Sequence, residues 1–256
     1  PEDYDLLRRL GVHMATQSKI PEAIRLIEKA VSAQTLNKNS AAYVILNRDL
    51  AILYGVNRDL EKQANAYEVV FDALMHPEKF GLAPTVRVRM LSEQATKLET
   101  IGQVFMEAKR YPLAIEAFQA AGENRRGNPG ALNYYLAEIY VKTDKYPEAL
   151  EELQRYLDAQ LQTKGRAAYE LLAQILEKLD KKTELVSRLE ALASKDPRNK
   201  FLQFFLAEQY VQAQELDKAA DLFKKTLERS AEPEGYRGLA SVYRQQGKVE
   251  DYFDAL

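Results

Sequence analysis

Small residues recur along this chain at one phase: Gly11, Ala51, Gly102, Ala137, Ala173, Ala207 and Ala240. Each follows an apolar residue, and three positions later comes Met14, Tyr54, Phe105, Tyr140, Leu176, Tyr210 or Tyr243. Twelve positions downstream, a second small residue stands at Ala23, Ala114, Ala149 and Ala219, with Ile27, Phe118, Leu153 and Phe223 four further on. Gln63, Leu185 and Tyr252 take that second place in the remaining three copies. From Gly102 onward the intervals are 35, 36, 34 and 33 residues. A period of this length marks one supersecondary unit stacked on copies of itself. Within each copy, apolar residues three and four apart predict two amphipathic helices of about 12–15 residues. Small residues at the crossing let the two helices approach, and the large residue one turn later fills the wedge between them. A lone pair cannot bury its apolar face, so neighbouring pairs must stack. Sustained polar–apolar alternation is missing, and almost no strand is expected. Tyr-Pro at Tyr111 and Tyr146 suits a helix start, because proline at the first helical position removes no needed hydrogen bond. "GENRRGNPG" (Gly122 to Gly130) and "SKDPRN" (Ser194 to Asn199) carry the breakers expected between units.

The pattern closely resembles the tetratricopeptide repeat family, whose units of about 34 residues carry L-G-x-x-Y followed by A-x-x-x-F and a late proline. The resemblance covers nearly the whole chain. It implies an all-α, right-handed α-solenoid of about seven helix-turn-helix repeats. There are departures: no repeat has the family's Trp, and only Pro197 sits cleanly at the late proline position. With Leu185 and Tyr252 in place of the second small residue, the fifth and seventh pairs are expected to be looser or shifted.

The period breaks between the first three small residues, with intervals of 40 and 51. Pro77 and Pro84 bracket a loop, after which Val86, Met90, Ala95, Leu98, Ile101 and Phe105 follow at largely helical spacing. This predicts one long helix overhanging its repeat, with a possible bend. The expected organisation is two N-terminal repeats over residues 1–75, a loop and overhang over 76–97, and five regular repeats over 98–256. The chain starts at Pro1 and stops within the second helix of the seventh repeat, so a longer parent chain is expected.

Chemistry is sparse. Of the 256 residues, 46% are hydrophobic and 29% charged, enough for a core and for solubility, and the net charge of −2 offers no basic surplus for phosphates. Without cysteine there is no disulfide, thiol nucleophile or thiolate metal site, and the compartment stays unidentified. No apolar run approaches the roughly 18 residues of a membrane helix. His13 and His76 are the only histidines and form no ligand cluster, so no metal or other cofactor is expected. "GENRRGNPG" has no G-K-[ST] ending and reads as a connector. No nucleophile–base pair suggests an enzyme.

The resemblance also supplies a place to look. In such arrays the first helix of each pair lines a concave groove, at positions three before and one after the small residue. Here those positions include Glu99, Gln103, Tyr134, Glu138, Glu170, Gln174, Phe204 and Glu208, the expected peptide-binding residues, with Arg8, Arg48 and Arg237 toward the ends. The centre is acidic with aromatics. The implied function is a protein–protein interaction scaffold, and the partner a peptide or domain that is basic and apolar. Relatives that clamp a peptide carboxylate use Lys and Asn at these places; neither appears, so that function is not implied. A nucleic-acid partner would need a basic groove. A recruitment module of a larger enzyme, with its catalytic domain elsewhere, and self-association through an edge of the array are the alternatives.

Overall fold

A computed structural model describes residues 3–93, 97–124 and 131–254. Among the described residues there are helices and turns and no strand. The chain divides into two compact units, residues 1–132 and 133–256.

The first unit holds α1 (Tyr4–Thr16), α2 (Ile20–Val31), α3 (Ala41–Val56), α4 (Leu60–Met75), α5 (Pro84–Ser92), α6 (Leu98–Glu107) and α7 (Tyr111–Asn124). A short 3-10 turn, Pro77–Phe80, precedes α5. The second unit holds most of α8 (Ala131–Lys142), then α9 (Tyr146–Asp158), α10 (Ala167–Lys178), α11 (Leu185–Lys195), α12 (Lys200–Gln212), α13 (Leu216–Leu227), α14 (Pro233–Gln246) and α15 (Val249–Asp254). Helices pair as α1 with α2, α3 with α4, α6 with α7, α12 with α13 and α14 with α15. Neighbouring pairs then stack through α2 on α3, α4 on α6, α11 on α12 and α13 on α14.

The turn inside each pair is the most regular feature of the chain. Ser18, Arg58, Lys109, Asp144, Asp180, Gln214 and Gly247 all have φ between 57° and 71°. Each lies seven residues after its small residue. The next residue's N–H donates back to the carbonyl of the large residue of the repeat, as in Lys19 to Met14, Arg110 to Phe105 and Glu215 to Tyr210, at 2.8–3.0 Å. This six-residue closure satisfies a carbonyl that the end of a helix would leave orphaned. Seven copies of one turn at one phase confirm about seven helix-turn-helix repeats.

The small residues do what their spacing predicts. A Cβ on Gly11 would stand 2.6 Å from Ile27, and one on Gly102 would stand 2.8 Å from Phe118. Ala51, Ala137 and Ala207 are fully buried, and Ala240 nearly so. Ala173 is only half-buried. Its pair carries Leu185 opposite, and a 3-10 turn (Lys182–Glu184) precedes α11. The fifth pair is thus the looser one that the bulky residue predicts.

The long overhanging helix is not formed. α5 ends at Ser92, Glu93 is extended (ψ 132°) and so is Lys97 (ψ 136°) ahead of α6. Ala95 lies outside the described residues, as do residues 125–130 of the Gly122–Gly130 connector and the terminal Leu256. The inserted segment is also not a free overhang. Phe80, Leu82 and Met90 are buried, and the Arg87 Nε donates to the Leu74 carbonyl at 2.9 Å. The third pair packs on the second. Phe71 of α4 meets Phe105 of α6 edge-on at 5.8 Å, and Arg110 reaches Glu61 (3.0 Å), Asn65 (2.6 Å) and Glu68 of α4. The two compact units separate at 132/133.

Candidate functional site

The groove positions do not share one environment. In the first unit, Glu99 and Gln103 lie half-buried on α6. Glu99 lines a cavity of about 450 Å³ between α5, α6 and α7, with Val88, Leu91, Lys97 and Ala121. Arg8 and Arg48, at the more basic N-terminal end, are consumed by internal pairing. Arg8 Nε donates to Asp49 Oδ2 at 2.7 Å, Arg48 Nη2 to Asp49 Oδ1 at 2.9 Å, and Arg48 Nη1 to Glu93 at 3.2 Å. The Asp49 side chain is only 10% exposed and that of Arg48 only 14%. Buried this far, the charges serve to neutralise one another.

In the second unit, Glu170 on α10 and Glu208 on α12 are brought together by a residue outside the frame. Arg166, just ahead of α10, donates from Nε to Glu170 at 2.7 Å and through both terminal nitrogens to Glu208 at 2.7 and 2.5 Å. It also reaches Glu234 on α14. First helices of three successive pairs thus meet one guanidinium, which lies over the Phe205 ring at 5.3 Å. The bond to Glu208, ahead of that to Glu170, holds Arg166 yet more firmly protonated than an ordinary arginine.

Tyr134 and Glu138 make the neighbouring cluster on α8. The Tyr134 hydroxyl faces Glu138 at 3.5 Å, and Lys164 lies 5.0 Å over the Tyr134 ring and 3.7 Å over that of Tyr135. Burial pushes the Glu138 carboxyl above its ordinary range, and Lys164 and Lys142 offset this only in part. Burial, then Glu138, likewise pushes the Tyr134 phenol upward. Tyr134 is only 7% exposed, so it offers an edge and not a face. Gln174 is exposed on α10.

Phe204 does not line a groove. It is 3% exposed, stacks on Phe223 at a centroid distance of 6.3 Å, and fills the space left by the missing side chain of Gly235. A Cβ there would approach its ring to 2.6 Å. It is a core residue because α14 offers a glycine where its ring lands.

The residues that sequence reading missed are Lys164, Arg166 and Glu234. They sit outside the two sampled positions, in the loop before α10 and in the first turn of α14. The one available signal was Arg166 standing four residues before Glu170, a spacing that pairs charges on a helix. Three carboxylates (Glu170, Glu208, Glu234) meet one guanidinium (Arg166), so this cluster keeps an acidic excess, while Lys164 and Lys142 act on Glu138. Among the described residues no group of His, Asp or Glu is placed to hold a metal ion, and no helix is long and apolar enough to cross a membrane.

No family model and no curated protein matches the chain. Solved structures do. The C-terminal part of a TPR repeat-containing protein from Cytophaga hutchinsonii is 15% identical, with 96% of this chain and 92% of that one covered, at a TM-score of 0.55. A tetratricopeptide repeat protein from Parabacteroides merdae is also 15% identical, over 98% of this chain and 90% of that one, at a TM-score of 0.46. With the paired helices, the small residues at the crossings and seven turns in phase, this chain has the tetratricopeptide repeat fold.

Proposed function

We propose that the chain is a protein-interaction scaffold, and that the first-helix face of residues 133–256 binds a peptide or partner domain carrying Lys or Arg beside apolar residues. The observation that carries this reading is the convergence of Glu170, Glu208 and Glu234 on Arg166. Polar side chains from three consecutive first helices are already ordered side by side, so little entropy is lost in presenting them. Their acidic excess attracts cations, while Arg166 and Lys164 set a threshold that an incoming Lys or Arg must exceed. Such half-exposed charges act mainly on encounter rate and weaken with salt.

Titration of a fluorescent basic–apolar peptide against the chain tests the assignment. Arg166→Gln should tighten binding, because it removes the competing cation. Glu208→Gln should loosen it, and added salt should weaken it in all three proteins. Tighter binding by Glu208→Gln, or indifference to both changes, would overturn the reading.

A further inference from the structure

A second cavity lies elsewhere in the unit of residues 133–256, and its chemistry is of the opposite sign. It measures about 670 Å³ and opens between the end of α11, the start of α12 and the last turns of α13. Pro197 and Leu222 supply apolar wall, and Arg198, Lys225 and Arg229 stand around it. All three cations are exposed. Among the described residues none of them pairs with a carboxylate; the Arg229 guanidinium donates only to the Pro197 carbonyl, at 3.4 Å. No described carboxylate contributes to the wall. Two nearby acids are engaged elsewhere: Glu232 holds Lys200, and Asp196 accepts from Asn199 and Gln162, each at 3.1 Å. In a chain of net charge −2 this is a local reversal.

Gln203 is the second observation. It is 9% exposed and lines the cavity, and among the described residues its side-chain amide has no hydrogen-bond partner. Neither amide atom is sealed from solvent, so both face the cavity and are served by water until a ligand group replaces it. The amide has both a donor and an acceptor, as does a peptide group. A simple anion would use the donor alone.

We infer that the cavity between α11, α12 and α13 is a binding site for an acidic peptide segment. Its carboxylates meet Arg198, Lys225 and Arg229, its backbone completes the Gln203 amide, and an apolar side chain rests on Leu222 and Pro197. The volume lies within the range of pockets that take compact ligands, about 300–1,000 Å³. The site is separate from the Arg166 face and stands whether or not that face binds a basic partner.

A fluorescein-labelled peptide of alternating Asp and Leu is the probe, read by anisotropy at low ionic strength. The wild-type chain should bind it, and should bind the Asn/Leu analogue much more weakly. The double variant Lys225→Glu, Arg229→Glu should lose about tenfold or more in affinity. Gln203→Leu, which keeps the volume and removes the amide, should lose roughly fivefold. Circular dichroism should show unchanged helicity in both. Glu208→Gln should bind the acidic peptide as the wild type does, which separates this site from the Arg166 face. Binding unaltered by the charge reversal would overturn the inference. So would equal affinity for the Asn/Leu analogue, or full displacement by inorganic phosphate at matched ionic strength, since the cavity would then read charge alone.

Discussion

The two compact units use charge at comparable repeat positions for different ends. In the first, Asp49 is clasped by Arg8 and Arg48, with most of the cluster withdrawn from water. In the second, Arg166 gathers Glu170, Glu208 and Glu234 while the side chains remain between 29% and 55% exposed. Arg48 and Glu170 occupy the same place in the repeat, three residues before the small one. Repeat position therefore does not decide what a charge does. Burial does: a withdrawn charge must be neutralised by its own chain, and a half-exposed one is still available to a partner.

The largest expected effect breaks that contrast directly. Asp49→Ala removes the partner that Arg8 and Arg48 share, leaving the buried Arg48 only Glu93, and should destabilise the chain by about 3 kcal/mol. Arg166→Gln, whose partners reach water, should change stability by less than about 1 kcal/mol. Urea unfolding of both variants decides it, and similar losses would dissolve the distinction between a buried and an available cluster.

Burial should also grade the helix crossings. Ala137→Leu overpacks a fully buried crossing and should cost about 1–3 kcal/mol. Ala173→Leu, in the looser fifth pair, should cost no more than about 0.5 kcal/mol. If the two melting temperatures fall together, the fifth pair is as tight as the fourth.

The turns sharpen the comparison by removing packing from it. Gly247 has φ 71°, and a Cβ there would meet nothing within 4 Å. Gly247→Ala should therefore cost about 1 kcal/mol from backbone conformation alone. A loss well above that would mean that the turn carries contacts beyond its own.

The smallest effect concerns Glu138, whose carboxyl is raised by burial. A carboxyl raised in the folded state favours folding while protonated, and that contribution fades as pH climbs through its folded value. Glu138→Gln should thus be slightly more stable than the wild type at neutral pH, with the difference shrinking as pH falls through the raised folded value to the ordinary carboxylate range. Chemical denaturation at several pH values would show it, and a difference that grew on acidification would reverse the assignment.

Much of the fold was legible because close helix crossings impose the same demand in every copy. A Cβ at Gly11 or Gly102 would press into Ile27 or Phe118, and the other crossings take Ala, so small residues appear in the sequence at the repeat interval. The seven left-handed turns were not legible, although they share one phase. Backbone bonds close them, and their residues (Ser, Arg, Lys, Asp, Asp, Gln and Gly) have no common side-chain chemistry. The candidate site was legible only in part. Glu170 and Glu208 do converge, but through Arg166, which lies in a loop whose position depends on the stacking of α10, α12 and α14.

By itself, then, the sequence determined the class of fold, the number of repeats and the identity of the crossing residues, because these follow from local periodicity and steric fit repeated along the chain. Tertiary structure decided the rest. It cut the expected long helix at Glu93 and Lys97 while burying Met90 in the first unit's core. It drew Phe204 inward onto Phe223 because Gly235 cleared the space, and it left Arg198, Lys225 and Arg229 around Gln203 without a carboxylate partner among the described residues. These outcomes depend on which side chains meet across helices far apart in the chain, and a one-dimensional period holds no record of such meetings.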